Sequence, residues 1–317
     1  MRLLSSYENE KGSPRGTLAS NQTLHLEPYS LWTTKTTYLI AYEHLITRVE
    51  LTVTVVTFLK RYTMHTEINY RTEPQLDKPV MVCGLPGIGS VAYLAVNHLQ
   101  RELKAELFAE VHSPSFSPKV WLTEEGIVKL MRGEFYFWRN PGGGRDLLLF
   151  SANEQPYSPE GQYELADVVL DMAVKFQVKE IITMGGMATD NFTEQPKVYV
   201  AGTNSELVKE LEALGAVKLA GGAITGTNGL IFGLAKLRNI LAICLLAETP
   251  GYLSLDANAS KAVLQMSSKL LSITLDYAVL DKQAKENSDA VHKARDMSRG
   301  SFSRETRRGD RDLTYVS

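Results

Sequence analysis

Apolar residues along this chain fall into two rhythms, short continuous runs and longer stretches where they recur on one helical face. Lys78-Pro79-Val80-Met81-Val82-Cys83 is a run with the character of a buried strand, and Ser90 to Leu103 is an amphipathic helix. The alternation repeats downstream. Strands are predicted at Glu106 to His112, Asp146 to Ala152, Glu180 to Met184, Lys197 to Ala201, Ala216 to Ala220 and Ile240 to Ala247. Helices are predicted from Ser158 to about Phe176, Ser205 to Leu214, near Leu230 to Leu237 and from about Ala259 to Tyr277. Ser158-Pro159-Glu160 supplies an N-cap, a proline at the first helical position and an early acid. Lys119 to Thr123, Ile127 to Met131 and Glu134 to Arg139 are short and turn-separated, the pattern of an antiparallel meander. Helices interleaved with apolar strands predict an α/β fold, a central mixed sheet covered on both faces.

The two ends depart from this pattern. Residues 1–63 are rich in Thr and Ser with irregular apolar spacing and precede an internal methionine, Met64. They are expected to be either an extension upstream of the true start or a small accessory element with a β-rich piece at Val49 to Leu59. Residues 64–281 are expected to form the α/β domain. Residues 282–317 carry many charged and few large apolar side chains, which predicts a frayed helical end followed by a disordered, mildly basic tail.

Composition narrows the function. A formal net charge of -2 provides no global field for nucleic acid or acidic membranes, and the tail arginines Arg304, Arg307, Arg308 and Arg311 lack interleaved aromatics. Glu43, His44, Arg48 and Glu50 interrupt the apolar stretch from Thr37 to Leu59, which argues against a membrane span. With no secretory signal pattern, a cytoplasmic location is expected. Cys83 and Cys244 lie inside apolar strand-like runs and read as core residues. The histidines show no metal-ligand spacing, and there is no nucleophile elbow, so neither metal, cofactor nor catalytic residues are expected.

The strand-to-helix loop Gly84-Leu85-Pro86-Gly87-Ile88-Gly89 resembles a phosphate loop in outline. Ser90 and Val91 stand where a Walker A loop needs Lys and Ser or Thr, and the glycine order G-x-x-G-x-G reverses the Rossmann fingerprint. The glycines are therefore expected to let the helix pack close to the sheet, with anion binding the minority reading. In open α/β sheets ligands gather beyond the carboxyl ends of strands. Four loops there are rich in small and polar residues: Gly84, Pro86, Gly87 and Gly89; Gly185-Gly186 through Asp190 and Asn191; Gly222 through Thr225, Gly226 and Asn228; and Glu248, Pro250, Gly251 and Tyr252. Together they are expected to line one pocket or interface.

Those residues, in order, carry a resemblance. The loop Gly84 to Gly89, Leu103-Lys104-Ala105-Glu106-Leu107, Ser113-Pro114, Gly185-Gly186 with Lys197-Val198-Tyr199, Gly226 through Gly233-Leu234, and Glu248-Thr249-Pro250-Gly251-Tyr252 are similar to the PAC2 family of proteasome assembly chaperones, over roughly Met64 to Lys285. The resemblance implies a three-layer α/β/α sandwich related to phosphorylase and hydrolase folds. It also implies a homo-oligomer, and a non-enzymatic role in assembling proteasome core particles without ATP, with core-particle subunits as partners. Some family members carry an ATP-grasp-like ligase label, so an enzyme or small-ligand binder using the glycine-rich loops is the alternative. Family docking tails place tyrosine second from last, whereas Leu313-Thr314-Tyr315-Val316-Ser317 has it third from last, which weakens the case for Leu313 and Tyr315 as a docking tail.

Overall fold

The computed structural model describes residues 65–309. The expectations for residues 1–63 and for the docking tail at Leu313 and Tyr315 lie outside the described residues. The strands, in chain order, are β1 (Glu67–Tyr70), β2 (Val80–Gly84), β3 (Glu106–His112), β4 (Val120–Leu122), β5 (Val128–Leu130), β6 (Gly133–Trp138), β7 (Leu147–Ala152), β8 (Glu180–Thr189), β9 (Val198–Gly202), β10 (Val217–Lys218) and β11 (Leu241–Pro250). The helices are α1 (Val91–Glu102), α2 (Pro159–Lys175), α3 (Ser205–Ala213), α4 (Gly226–Ala235), α5 (Ala257–Leu271) and α6 (Ala278–Gly309).

Nine strands form one mixed sheet in the order β1-β3-β6-β7-β2-β8-β11-β9-β10. Its centre, β7-β2-β8-β11, is parallel, while β6, β3 and β1 on one side and β9 on the other add antiparallel pairings. Each central strand is buried on both faces, so its residues alternate between two cores. Val80 and Val82 join Leu147 and Leu149 in a core under α1, α3, α5 and α6. Met81 and Cys83 join Leu148 and Phe150 in the other, under α2 and α4, where Phe108, Phe135 and Phe150 pack ring against ring. The result is the expected three-layer α/β/α sandwich.

The departures from the sequence reading have local causes. The meander does not form as one unit, because β6 enters the main sheet between β3 and β7 while β4 and β5 pair only with each other as a separate hairpin. Gly185-Gly186 is no turn but the middle of β8, aligned with Leu246 and Ala247 of β11. Glu248 and Thr249 likewise extend β11 rather than open a loop. The last core helix stops at Ser272, which takes a left-handed backbone (φ 55), so Ile273 to Tyr277 is not helical. Tyr277 instead donates its hydroxyl to Ser268 at 3.0 Å and stacks on His98, whose Nε2–H donates to the Asp276 carbonyl at 2.7 Å. His98 is thus a buried structural histidine.

At the C-terminal end, helix α6 covers residues whose composition predicts a frayed helical end followed by a disordered tail. Its buried residues fall on one face: Leu280, Ala284, Ser288 and Val291 lie at intervals of four, four and three. Asn287 adds a hydrogen bond from the backbone N–H of Ala257 at 3.2 Å. Low overall hydrophobicity hid a narrow stripe that suffices for docking a helix against α5.

Candidate functional site

The glycine-rich segments meet at the carboxyl edge of the parallel strands, and they meet by interlocking. Gly84 ends β2 directly beneath α1, and a Cβ there would lie 2.3 Å from the Ala92 carbonyl oxygen. The chain then enters α1 through a short 3-10 turn, Ile88–Ser90, with Gly89 (φ 61) and Ser90 (φ 46) both left-handed. A Cβ on Gly89 would stand 2.7 Å from the Thr249 hydroxyl, and one on Gly186 would stand 2.5 Å from the Ile88 carbonyl. Absent side chains on β2, β8 and the loop let three backbones close upon each other.

Polar side chains complete the lock. Asn228, buried in the first turn of α4, accepts from Leu85 N–H at 3.3 Å and donates to Leu85 O at 3.2 Å. Gln155, between β7 and α2, accepts from Thr227 N–H at 2.7 Å and donates to the Pro86 carbonyl. Thr249 donates to Asp256 Oδ2 at 2.7 Å, while Asp256 Oδ1 accepts from Ala259 N–H at 3.0 Å as the N-cap of α5. The backbone N–H of Asp256 in turn donates to Gly89 O at 2.8 Å. Glu248 accepts from Lys197 N–H at 3.0 Å and from the Tyr199 hydroxyl at 3.2 Å. That hydrogen bond raises the Tyr199 phenol above its ordinary value.

The residues expected to form one site therefore divide. Gly84, Pro86, Gly89 and Asn228 are joined in one network that also reaches Thr249 in β11, whereas Asp190, Asn191, Thr225, Gly251 and Tyr252 are exposed. Glu248 is tied to β9, and Pro250 is the last residue of β11, buried against Thr189 of β8. The sequence reading missed Gln155 and Asp256. Asp256 had a usable signal, an Asp directly before an Ala-rich helical run, the position of an N-cap. Gln155 had none.

A cavity of 370 Å³ lies at the opposite edge, lined by Lys78, Arg145, Phe176 and Glu180 near the starts of β2, β7 and β8. Arg145 pairs with one Glu180 oxygen at 2.6 Å, and the other oxygen is buried without a hydrogen-bond partner. Both cysteine thiols are buried and pushed up by desolvation, Cys244 to about 11, which makes them poor nucleophiles. Among the described residues no group of three or more His, Cys, Asp or Glu is placed to hold a metal ion, and no helix is long and apolar enough to cross a membrane.

Two layers of helices enclosing a mixed sheet, with glycine loops locked at its carboxyl edge, place the protein among three-layer α/β/α proteins. The family follows: residues 81–295 match the PAC2 family, and the chain belongs to it. It is 37% identical over 219 residues to an uncharacterised protein of Methanocaldococcus jannaschii, covering 69% of this chain and 83% of that protein. Among solved structures, PbaB of Pyrococcus furiosus, described as an archaeal proteasome activator, is 37% identical with a TM-score of 0.69, covering 74% of this chain and all of that one. PbaA of the same organism, described as an archaeal homolog of proteasome-assembly chaperone, is 25% identical with a TM-score of 0.60, covering 78% of this chain and 99% of that one.

Proposed function

We propose that this protein is a non-enzymatic, homo-oligomeric partner of the proteasome core particle that acts in the cytoplasm and needs no ATP. The observation that carries the reading is the similarity to PbaB along that protein's full length. The glycine-loop network supports it from within the chain. Asn228, Gln155, Glu248, Thr249 and Asp256 each have their hydrogen-bonding atoms engaged by neighbouring backbone or side chains, so the polar groups that an enzyme would direct at a substrate here hold loops together.

Native mass spectrometry and co-purification with proteasome α and β subunits, with and without nucleotide, test the proposal. A complex in both conditions is expected, and absence of a complex with either subunit type refutes it. Assembly chaperone and activator are separable roles. The greater identity to PbaB favours a second reading, binding to the finished particle, and the peptidase activity of preassembled core particles decides between them. Faster assembly with unchanged peptidase activity identifies a chaperone, whereas raised peptidase activity identifies an activator.

A further inference from the structure

The segment Asn153-Glu154-Gln155-Pro156, in the connection from β7 to α2, fastens two parts of the molecule at once. On one side it holds both legs of the hairpin β4–β5. The Glu154 carboxylate accepts from the Lys119 ammonium at 2.7 Å and from the backbone N–H and the hydroxyl of Ser117, ahead of β4. Past β5, Asn153 N–H donates to Arg132 O at 3.2 Å, and the Asn153 side-chain oxygen accepts from Arg132 N–H at 3.4 Å. On the other side Gln155 braces the glycine loop, donating to the Pro86 carbonyl and accepting from Thr227 N–H at 2.7 Å. Pro156 is buried, and its carbonyl accepts from Gln162 Nε2 of α2 at 3.0 Å, so the segment itself is anchored.

Neither of the two parts supports itself. Every residue of β4 and β5 is exposed, and a two-stranded ribbon alone is marginal in water. Its order depends on its legs, through Phe116 and Met131 in the core and through the bonds to Asn153 and Glu154. The glycine loop carries two consecutive left-handed residues, Gly89 (φ 61) and Ser90 (φ 46), the second with a side chain. A backbone of that kind persists only where its surroundings over-determine it. The helices at this edge bring no side-chain caps of their own. Ser90 before α1 and Thr225 before α4 make no capping bond, and Thr227 N–H, a free donor in the first turn of α4, is taken up by Gln155 instead.

We propose that the hairpin and the glycine loop are conformationally coupled through Glu154 and Gln155, so that freeing the legs of the hairpin loosens the loop and freeing the loop loosens the legs. Adjacent residues on one short, anchored segment do not shift independently. A displacement of Glu154 away from Ser117 carries the Gln155 amide with it, and a hydrogen bond weakens steeply with misalignment. The link runs from an exposed apolar ribbon to the carboxyl edge of the parallel sheet, and by linkage whatever steadies one end steadies the other by the same free energy.

Amide hydrogen exchange of the full chain tests the coupling. In the wild type, residues 85–91 are expected to exchange faster than residues 181–184 of β8, which marks their opening as local. Exchange as slow as in β8 means that the loop opens only with the whole domain, and overturns the proposal. The double variant Ser117→Ala/Lys119→Met removes two of the donors to Glu154 and leaves residues 153–156 unchanged. It is expected to quicken exchange at 117–119 and, by a similar factor, at 85–91. That factor is at least about threefold, the loss of one hydrogen bond and one ion pair. The reverse variant Asn228→Ala frees the loop at Leu85 and is expected to quicken residues 117–119 in turn. A loop that keeps its wild-type rate while the legs quicken, or legs that keep theirs in Asn228→Ala, overturns the coupling. Legs that do not quicken in the double variant overturn the hold of Glu154 on the hairpin. A second measurement needs no variant. Exchange of the wild type in low urea gives each segment a slope set by the surface its opening exposes. Equal slopes for 85–91 and 117–119 are expected, and unequal slopes show two separate openings and overturn the proposal.

Discussion

Replacing Gly89 with alanine should be among the most damaging single-methyl changes in the protein. Two costs add. A residue with a Cβ at φ 61 pays about 1–2 kcal/mol for the left-handed backbone. The new Cβ would also sit 2.7 Å from the Thr249 hydroxyl and 3.2 Å from Asp256 Cβ. Relieving that contact moves Thr249 off Asp256, and losing a buried hydrogen bond to a carboxylate costs about 1.5–3 kcal/mol. The sum is about 2.5–5 kcal/mol, which for a domain of this size lowers the melting temperature by roughly 10 °C. Gly87→Ala is the matched control, with an extended backbone (φ -161) and a new Cβ no closer than 3.7 Å to Gln155 Nε2. It should change stability by less than about 0.5 kcal/mol. Differential scanning calorimetry of the two variants checks the pair. If Gly89→Ala melts within about 2 °C of the wild type, or if Gly87→Ala falls as far, the lock between the loop, β11 and α5 is not what holds this edge together, because the estimated penalty would then be absent.

Asn228→Ala should cost about 2–4 kcal/mol in urea denaturation, since it leaves Leu85 N–H and C=O buried without partners, and a change under about 1 kcal/mol would contradict the bracing role. The Glu154 carboxyl gives a pH prediction. Burial alone would raise its pKa, but hydrogen bonds from Lys119 and Ser117 outweigh it and hold the group below its ordinary value. A depressed carboxylate stabilises the fold above its unfolded pKa of about 4 and loses that contribution as pH falls through the folded value. Amide exchange across residues 119–130, corrected for intrinsic rates, should therefore accelerate selectively in acid, and Glu154→Gln should flatten that dependence.

The layered fold was legible because burial of the central strands imposes a composition that only a covered sheet can use: Val80 to Cys83 and Leu147 to Ala152 are apolar at every position from first to last but Ser151. Helix α2 was legible to its first residue, since Ser158 accepts from Gly161 N–H at 3.0 Å and Pro159 follows. What the sequence hid were facts about partners distant along the chain. Gly185-Gly186 reads as a turn by local propensity, and it is a strand because it pairs with Leu246 and Ala247 of β11, while Ile88 and Thr249 fill the space where a Gly186 side chain would stand.

The same reasoning explains why the candidate site was legible in place but not in character. Asn228 and Glu248 were picked out for having free polar groups at the carboxyl edge of a parallel sheet, and an amide that braces a loop is chemically identical to one that binds a ligand. Only the distances separate the two, 3.2 and 3.3 Å from Asn228 to the Leu85 backbone. A consequence follows for any ligand search at this edge. Loss of a thermal shift in Asn228→Ala would report a broken brace as readily as a lost contact. Asp190→Ala and Thr225→Val are the informative variants, because both residues are exposed and the Thr225 hydroxyl makes no capping bond to α4. A metabolite whose stabilising shift survived in Asn228→Gln but vanished in either of those would restore the small-ligand alternative. A shift indifferent to both would leave the network as what its geometry describes, an internal fastening of the loops at this edge.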